Sequence, residues 1–115
     1  MSATEVIYTD EFGDWFDGLD DADSKKILKW VDLLAATGVQ LGHPYSSAIN
    51  GSKYAIRELR QDGETLRLFY IFDPRREVVL LLGGDKAGDK SFYERMVPKA
   101  EAIWEQYLRE QGFVK

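Results

Sequence analysis

Three cations, Arg60, Arg67 and Lys86, fall within the one stretch of the chain that reads as buried strand, Arg57 to Lys86. If they share a face they make a local basic site, and strand alternation decides whether they do. From Tyr54 to Arg60, one side carries Tyr54, Ile56, Glu58 and Arg60, and the other carries Ala55, Arg57 and Leu59. Asp62-Gly63 separates two strand-like runs and predicts a hairpin with a type I′ turn, in which both central residues take positive φ. That register sets Arg60 against Thr65, Glu58 against Arg67 and Ile56 against Phe69, so Arg60, Glu58 and Arg67 project from one side. A plainer reading stays open beside it, with Arg67 paired to Glu58 in an exposed ion pair and Arg60 a solvated strand-end residue.

The opposite face of the second strand, Leu66, Leu68, Tyr70 and Phe72, is an apolar stripe for helices to cover. Asp73-Pro74-Arg75-Arg76 reads as the next turn, with Pro74 at its second position and the two arginines as turn charges. A four-residue loop would bring Val78, Leu80 and Leu82 to the arginine face, with Lys86 just past the strand end on that side. An odd-length loop would flip the third strand. Val78 to Leu82 is apolar on both faces, which predicts a central strand.

The rest of the chain must position this sheet. Glu5 to Thr9 reads as a short strand, and Asp10 as the N-cap of a helix carrying Phe12, Trp15, Phe16 and Leu19. Asp20 to Asp23 makes a break and a second cap. A longer helix then runs towards Thr37, with Ile27, Leu28, Trp30, Val31, Leu34 and Ala35 at helical spacing, and Gly38 stops it. Residues 38–53 hold no sustained period and read as a loop or a short helical turn. The only histidine, His43, lies there before Pro44 and reads as a loop residue. After Lys86, Asp89 or Ser91 caps a short helical turn through Met96. Pro98 then opens a new helix with Ala100, Ile103, Trp104, Tyr107 and Leu108 on one face. The expectation is one α+β domain over residues 1–115: an N-terminal strand and a helical hairpin on a mainly antiparallel sheet, closed by a C-terminal helix.

Composition narrows the function. With 115 residues and no cysteine, a single core without disulfides or a thiolate metal site is expected. No apolar run approaches the ~20 residues of a membrane span and no leader is apparent, so a cytoplasmic protein is expected. The net charge of −5 works against indiscriminate nucleic-acid binding, but it is unevenly spread. Residues 1–52 carry nine acids and three bases, whereas residues 53–90 carry seven acids and eight bases. The acidic run from Asp10 to Asp23 reads as a solvated helical face.

The order of elements resembles the RelE/ParE toxin superfamily. The runs LGHPYSSAINGSKYAIRELR and LRLFYIFDPRREVVLLLGGDKAGDKSFYERMVPKAE, covering roughly residues 38–110 with the later EQYL, resemble its HigB-type, phage-derived branch. The resemblance implies the toxin of a type II toxin–antitoxin pair, held by a helix-turn-helix antitoxin. It also implies an endoribonuclease that acts on messenger RNA at the ribosome, with no metal or other cofactor. Matched residue by residue, Arg60 and Arg67 take the place of the family's phosphate-stabilising arginines, and a guanidinium fork suits that task. Lys86 takes the place of the basic residue after the last strand, as a phosphate ligand or proton donor. Lys53, Asp85, Lys90 and Tyr93 are further candidates for RNA contact or proton transfer. The chain departs from the pattern in its acidity and in having no histidine near the sheet. Two other readings therefore stand: a ParE-like toxin that binds DNA gyrase or another protein without nuclease chemistry, and a partner-binding domain without toxicity.

Overall fold

The computed structural model describes residues 4–114. Strand β1 (Val6–Tyr8) leads into helices α1 (Asp10–Asp17) and α2 (Asp21–Thr37), then a 3₁₀ turn over Gly38–Gln40. Strands β2 (Ser46–Ala48), β3 (Arg57–Leu59), β4 (Leu66–Phe72) and β5 (Val78–Asp85) follow, and α3 (Phe92–Glu110) closes the chain. The five strands form one sheet in the order β1-β5-β4-β3-β2. Strand β1 runs parallel to β5 and every other pairing is antiparallel. The first helix is capped one residue earlier than expected: the Thr9 hydroxyl, not Asp10, accepts from the Phe12 amide at 3.2 Å. Asp20 caps α2 through the Asp23 amide at 2.8 Å, and Gly38 ends it at φ 69°.

The sheet separates two cores. On one face Leu59, Leu66, Leu68, Tyr70, Val78 and Leu80 meet Phe12, Ile27, Trp30, Val31 and Leu34 of the helical hairpin. On the other, Ile56, Phe69, Ile71, Val79 and Leu81 meet α3. Two adjacent glycines let helices approach β5 from both sides. A Cβ at Gly83 would stand 2.3 Å from the Trp15 ring, and one at Gly84 would stand 2.9 Å from Phe92 and 3.0 Å from Met96.

Several expectations are corrected. Ser46–Ala48, expected in a loop, is an edge strand paired with β3. The turn at Gln61–Glu64 is not type I′, because Gly63 takes positive φ (83°) and Asp62 does not. The hairpin register is shifted by two residues, with Glu58 opposite Phe69 and Leu59 opposite Leu68. An even shift keeps every side chain on its expected face, so Glu58 and Arg67 still share one. The loop from Asp73 to Glu77 has an odd length, with Arg76 at φ 64°, and it flips the start of β5. Val78 and Leu80 therefore belong to the hairpin core, not to the arginine face. A bulge opposite Phe69/Tyr70 reverses the parity again. Leu82 then opposes Phe69 and Gly84 opposes Arg67, so the strand end returns to the arginine face. Finally, α3 is one helix that passes through Pro98. An interior proline costs ~3 kcal/mol, but burying a large apolar side chain returns ~1.5–3 kcal/mol. Phe92 and Met96 anchor the helix before the proline, and Ile103, Trp104 and Tyr107 anchor it afterwards.

Candidate active site

Glu58 in the middle of β3 and Arg67 near the start of β4 lie on the α3 face, where a sheet normally presents apolar residues. Both are buried, with 5% and 4% of their surface exposed. The expected exposed ion pair is therefore a buried one. Arg67 Nε stands 3.6 Å from Glu58 Oε1 and has no hydrogen-bond partner. Its Nη1 donates to the carbonyls of Glu64 at 2.7 Å and Leu66 at 2.9 Å. These bonds fix the guanidinium plane beneath the β3–β4 turn. A buried donor left without a close partner is costly.

Tyr93 completes the arrangement from the first turn of α3. Its hydroxyl donates to Glu58 Oε1 at 2.7 Å. Its ring is held edge-on to Phe69 at 6.3 Å and to Phe92 at 5.2 Å, while Phe92 stacks on Phe69 at 6.0 Å. Burial, then the bond to Glu58, raises the phenol above the usual tyrosine range and keeps it protonated as a donor. Lys86, whose amide bonds the Thr65 carbonyl at 3.0 Å, places its ammonium 5.2 Å from the centre of the Tyr93 ring. The result is a continuous chain of contacts, Lys86–Tyr93–Glu58–Arg67. Glu58 and Tyr93 open onto a surface depression shared with Ala48, Ile49 and Asn50.

The other candidates lie outside this chain of contacts. Arg60 is half-buried, with its amide bonded to the Tyr45 carbonyl at 2.9 Å, and alternation along β3 puts it on the Glu58 side. Lys53 pairs with Glu105 at 3.2 Å on the middle of α3, a bond that raises its ammonium above the usual lysine range. Asp85, at the end of β5, is held below the usual carboxylate range by the Thr65 hydroxyl and then the Ala87 amide. Lys90 is exposed in the turn before α3. Arg75 and Arg76 belong to the β4–β5 turn, where Arg75 lies 5.0 Å from the Phe113 ring. His43 is an exposed loop residue. Among the described residues no three or more His, Cys, Asp or Glu side chains gather as a metal site would require.

In the sequence Glu58 reads only as a partner for Arg67. The available signal was a carboxylate at the middle of a strand on the face that also carries the arginines. Chemically, the cluster offers a hydroxyl joined to a buried carboxylate, an ammonium above it and a guanidinium fixed behind it. Such a set can take a proton from one oxygen, give one to another, and offset negative charge between them.

Residues 14–105 match the family of phage-derived Gp49-like proteins. The candidate toxin HigB3 of Mycobacterium tuberculosis is 36% identical over 105 residues, covering 90% of this chain and 92% of that protein. HigB2 of the same organism, also a candidate toxin, is 28% identical over 99 residues, covering 82% of this chain and 49% of HigB2. Among solved structures, the toxin–antitoxin complex RelBE2 of M. tuberculosis superposes with a TM-score of 0.58 at 16% identity, covering 74% of this chain and 99% of that one. A mutant of the E. coli toxin RelE in the free state superposes with a TM-score of 0.58 at 10% identity, covering 84% and 96%. At these identities the two structures establish a shared fold.

Proposed function

The chain belongs to the phage-derived Gp49-like family and to the HigB-type branch of the RelE/ParE superfamily, and on that premise we propose that it is the toxin of a toxin–antitoxin pair and cuts messenger RNA. The observation that carries the reading is the Lys86–Tyr93–Glu58–Arg67 chain of contacts beside a surface depression. In cleavage without a metal, the ribose 2′-oxygen attacks the adjacent phosphorus and the bond to the 5′-oxygen breaks. A 2′,3′-cyclic phosphate and a 5′-hydroxyl remain. The 2′-hydroxyl gives its proton to the Tyr93 oxygen as Tyr93 passes its own to Glu58. Lys86 gives a proton to the departing 5′-oxygen, and water then returns the Glu58 proton to Lys86.

Arg60 and Lys86 offset the charge that gathers on the phosphorane. Arg67 is the third member of the site, but its fixed guanidinium holds the Glu58 carboxylate in place and acts on the phosphate only through it. Lys53, Asp85 and Lys90 lie outside this chain of contacts; the two lysines serve RNA contact. A helix-turn-helix antitoxin is the proposed partner, a reading supported by the RelBE2 complex being a toxin–antitoxin assembly.

Inducing the protein without a partner is expected to arrest bacterial growth and to leave messenger RNA fragments with cyclic-phosphate 3′ ends and free 5′-hydroxyls. Growth arrest with intact transcripts and disturbed DNA supercoiling would overturn the nuclease in favour of a gyrase-binding toxin. Unimpaired growth at confirmed expression would overturn both.

A further inference from the structure

Tyr93 and Asn50 line two hollows in the surface. One is the depression onto which Glu58 opens. The other is a cleft along α3, floored by Val97 and Pro98, with Glu94 and Glu101 on the helix side and Gly51 on the loop side. Tyr93 therefore joins the cleft directly to the proposed site. Along the helix, Glu94, Val97, Pro98 and Glu101 occupy positions i, i+3, i+4 and i+7, so they form one stripe. That stripe is rich in hydrogen-bond acceptors. Pro98 has no N–H, so the Glu94 carbonyl four residues earlier lacks its helical donor. The Glu94 carboxylate is exposed. Glu101 is held against the β2–β3 loop, where its Oε2 accepts from the Ser52 hydroxyl and the Lys53 amide, each at 2.9 Å. Among the described residues its Oε1 has no hydrogen-bond partner.

We infer that this cleft holds a guanine base, the one on the ribose whose 2′-oxygen meets Tyr93, immediately 5′ of the cut. The inference rests on the proposed endoribonuclease reading and gives it a base preference. That base must lie within one nucleotide of the Tyr93 ring, and the cleft begins there. Two carboxylates repel phosphate, so the cleft suits a base and not the backbone. Unpaired bases are read along their edges by side chains. Adenine and cytosine bring one amino group, and uracil one N–H. Only guanine sets an N1–H beside an amino group, and two adjacent donors match acceptors that cannot themselves donate. The Asn50 amide can then give to guanine O6. A cationic side chain of a partner would also meet the carboxylates. The shared Tyr93 favours the base.

The test is anisotropy of the whole protein with uncleavable 2′-O-methyl oligouridines that carry one central guanine, hypoxanthine or adenine. Wild type should prefer guanine to adenine by roughly five- to a hundredfold, with hypoxanthine, which lacks the amino group, in between. The ratio is read within each protein, so a general gain in affinity from lost negative charge cancels. Glu94→Gln/Glu101→Gln should abolish the preference, whereas Glu110→Gln, at the far end of α3, should keep the wild-type ratio. In unmodified RNA, wild-type fragments should end mainly in a guanosine cyclic phosphate. Equal affinities for guanine and adenine, binding of neither, or a preference that survives the double variant would overturn the pocket. Equal affinities, with an oligolysine peptide bound more weakly by the double variant than by wild type, would overturn it in favour of a cationic partner side chain. Cutting without base preference would remove the pocket and keep the nuclease. A guanine preference lost in the double variant, in a protein that cuts no RNA, would keep the pocket and remove the nuclease.

Discussion

Helix α3 brings a tyrosine hydroxyl onto a buried carboxylate twice: Tyr93 onto Glu58 near its start, at 2.7 Å, and Tyr107 onto Asp73 near its end, at 2.9 Å. The chemical pair is the same, but its surroundings differ. Asp73 Oδ1 also accepts from the amides of Arg75 and Glu77, each at 2.9 Å, so both oxygens are committed to the turn and the helix. Glu58 shares one oxygen between Tyr93 and an arginine nitrogen that stays 3.6 Å away, and it opens onto the surface. A fully partnered carboxylate stitches a hairpin to a helix. An incompletely partnered one, beside a cation and a depression, can accept a proton. The two ends of α3 therefore separate a structural use of the pair from a chemical one.

Matched substitutions test that separation most strongly at the tyrosines. Tyr93→Phe should lower RNA cleavage by about a hundred- to ten-thousandfold, the range of a lost general acid or base, while the domain stays folded. Tyr107→Phe should leave cleavage by the folded protein unchanged. If both variants cut alike, Tyr93 holds α3 in place and nothing more. The carboxylates give the next largest contrast. Asp73→Ala removes three acceptor bonds of ~1 kcal/mol each and should cost about 3 kcal/mol of unfolding free energy in a denaturant titration, with cleavage preserved. Glu58→Gln keeps the shape and an acceptor oxygen, so cleavage should fall far more than stability. Comparable losses of stability with cleavage intact would place Glu58 beside Asp73 as a structural acid.

The contrast was only partly legible in the sequence. Alternation put Glu58, Arg60 and Arg67 on one face, and an even error in register could not disturb that. The third strand was different, because its parity depended on one residue of loop length and on a bulge that no hydrophobic pattern announces. Ser46–Ala48 reads as loop because a short edge strand of small residues has neither an apolar alternation nor β-branched side chains. Pro98 suggested two helices because local propensity carries no account of the anchors on either side. In the site, cations stood out by charge, whereas Glu58 and Tyr93 acquire meaning only when α3 folds back across more than thirty residues of chain. The Asp73–Tyr107 pair was hidden for the same reason: Asp73 read as a turn former, which it is, and Tyr107 as one more apolar position.

The smallest expected effect is a dependence of stability on alkaline pH, and it should be carried mainly by the structural pair. Burial, and then the bond to Asp73, holds the Tyr107 phenol well above the usual tyrosine range. A phenol whose folded value lies above its unfolded value stabilises the protein fully below the unfolded value, near pH ~10. That contribution fades as pH rises towards the folded value. Between pH 10 and pH 11 the loss from one such group is at most about 1.4 kcal/mol, so it is invisible at neutral pH. Tyr93 is shifted in the same direction by burial and then by Glu58, but Tyr107 has the larger shift. Denaturant midpoints at pH 8, 10 and 11 should therefore fall more steeply for wild type than for Tyr107→Phe, with Tyr93→Phe in between. Lysines lose charge in the same window in all three proteins, so the differences in slope isolate the phenols. If Tyr93→Phe flattens the alkaline loss more than Tyr107→Phe does, the tighter coupling lies at Glu58, and the division of labour between the two ends of α3 is reversed.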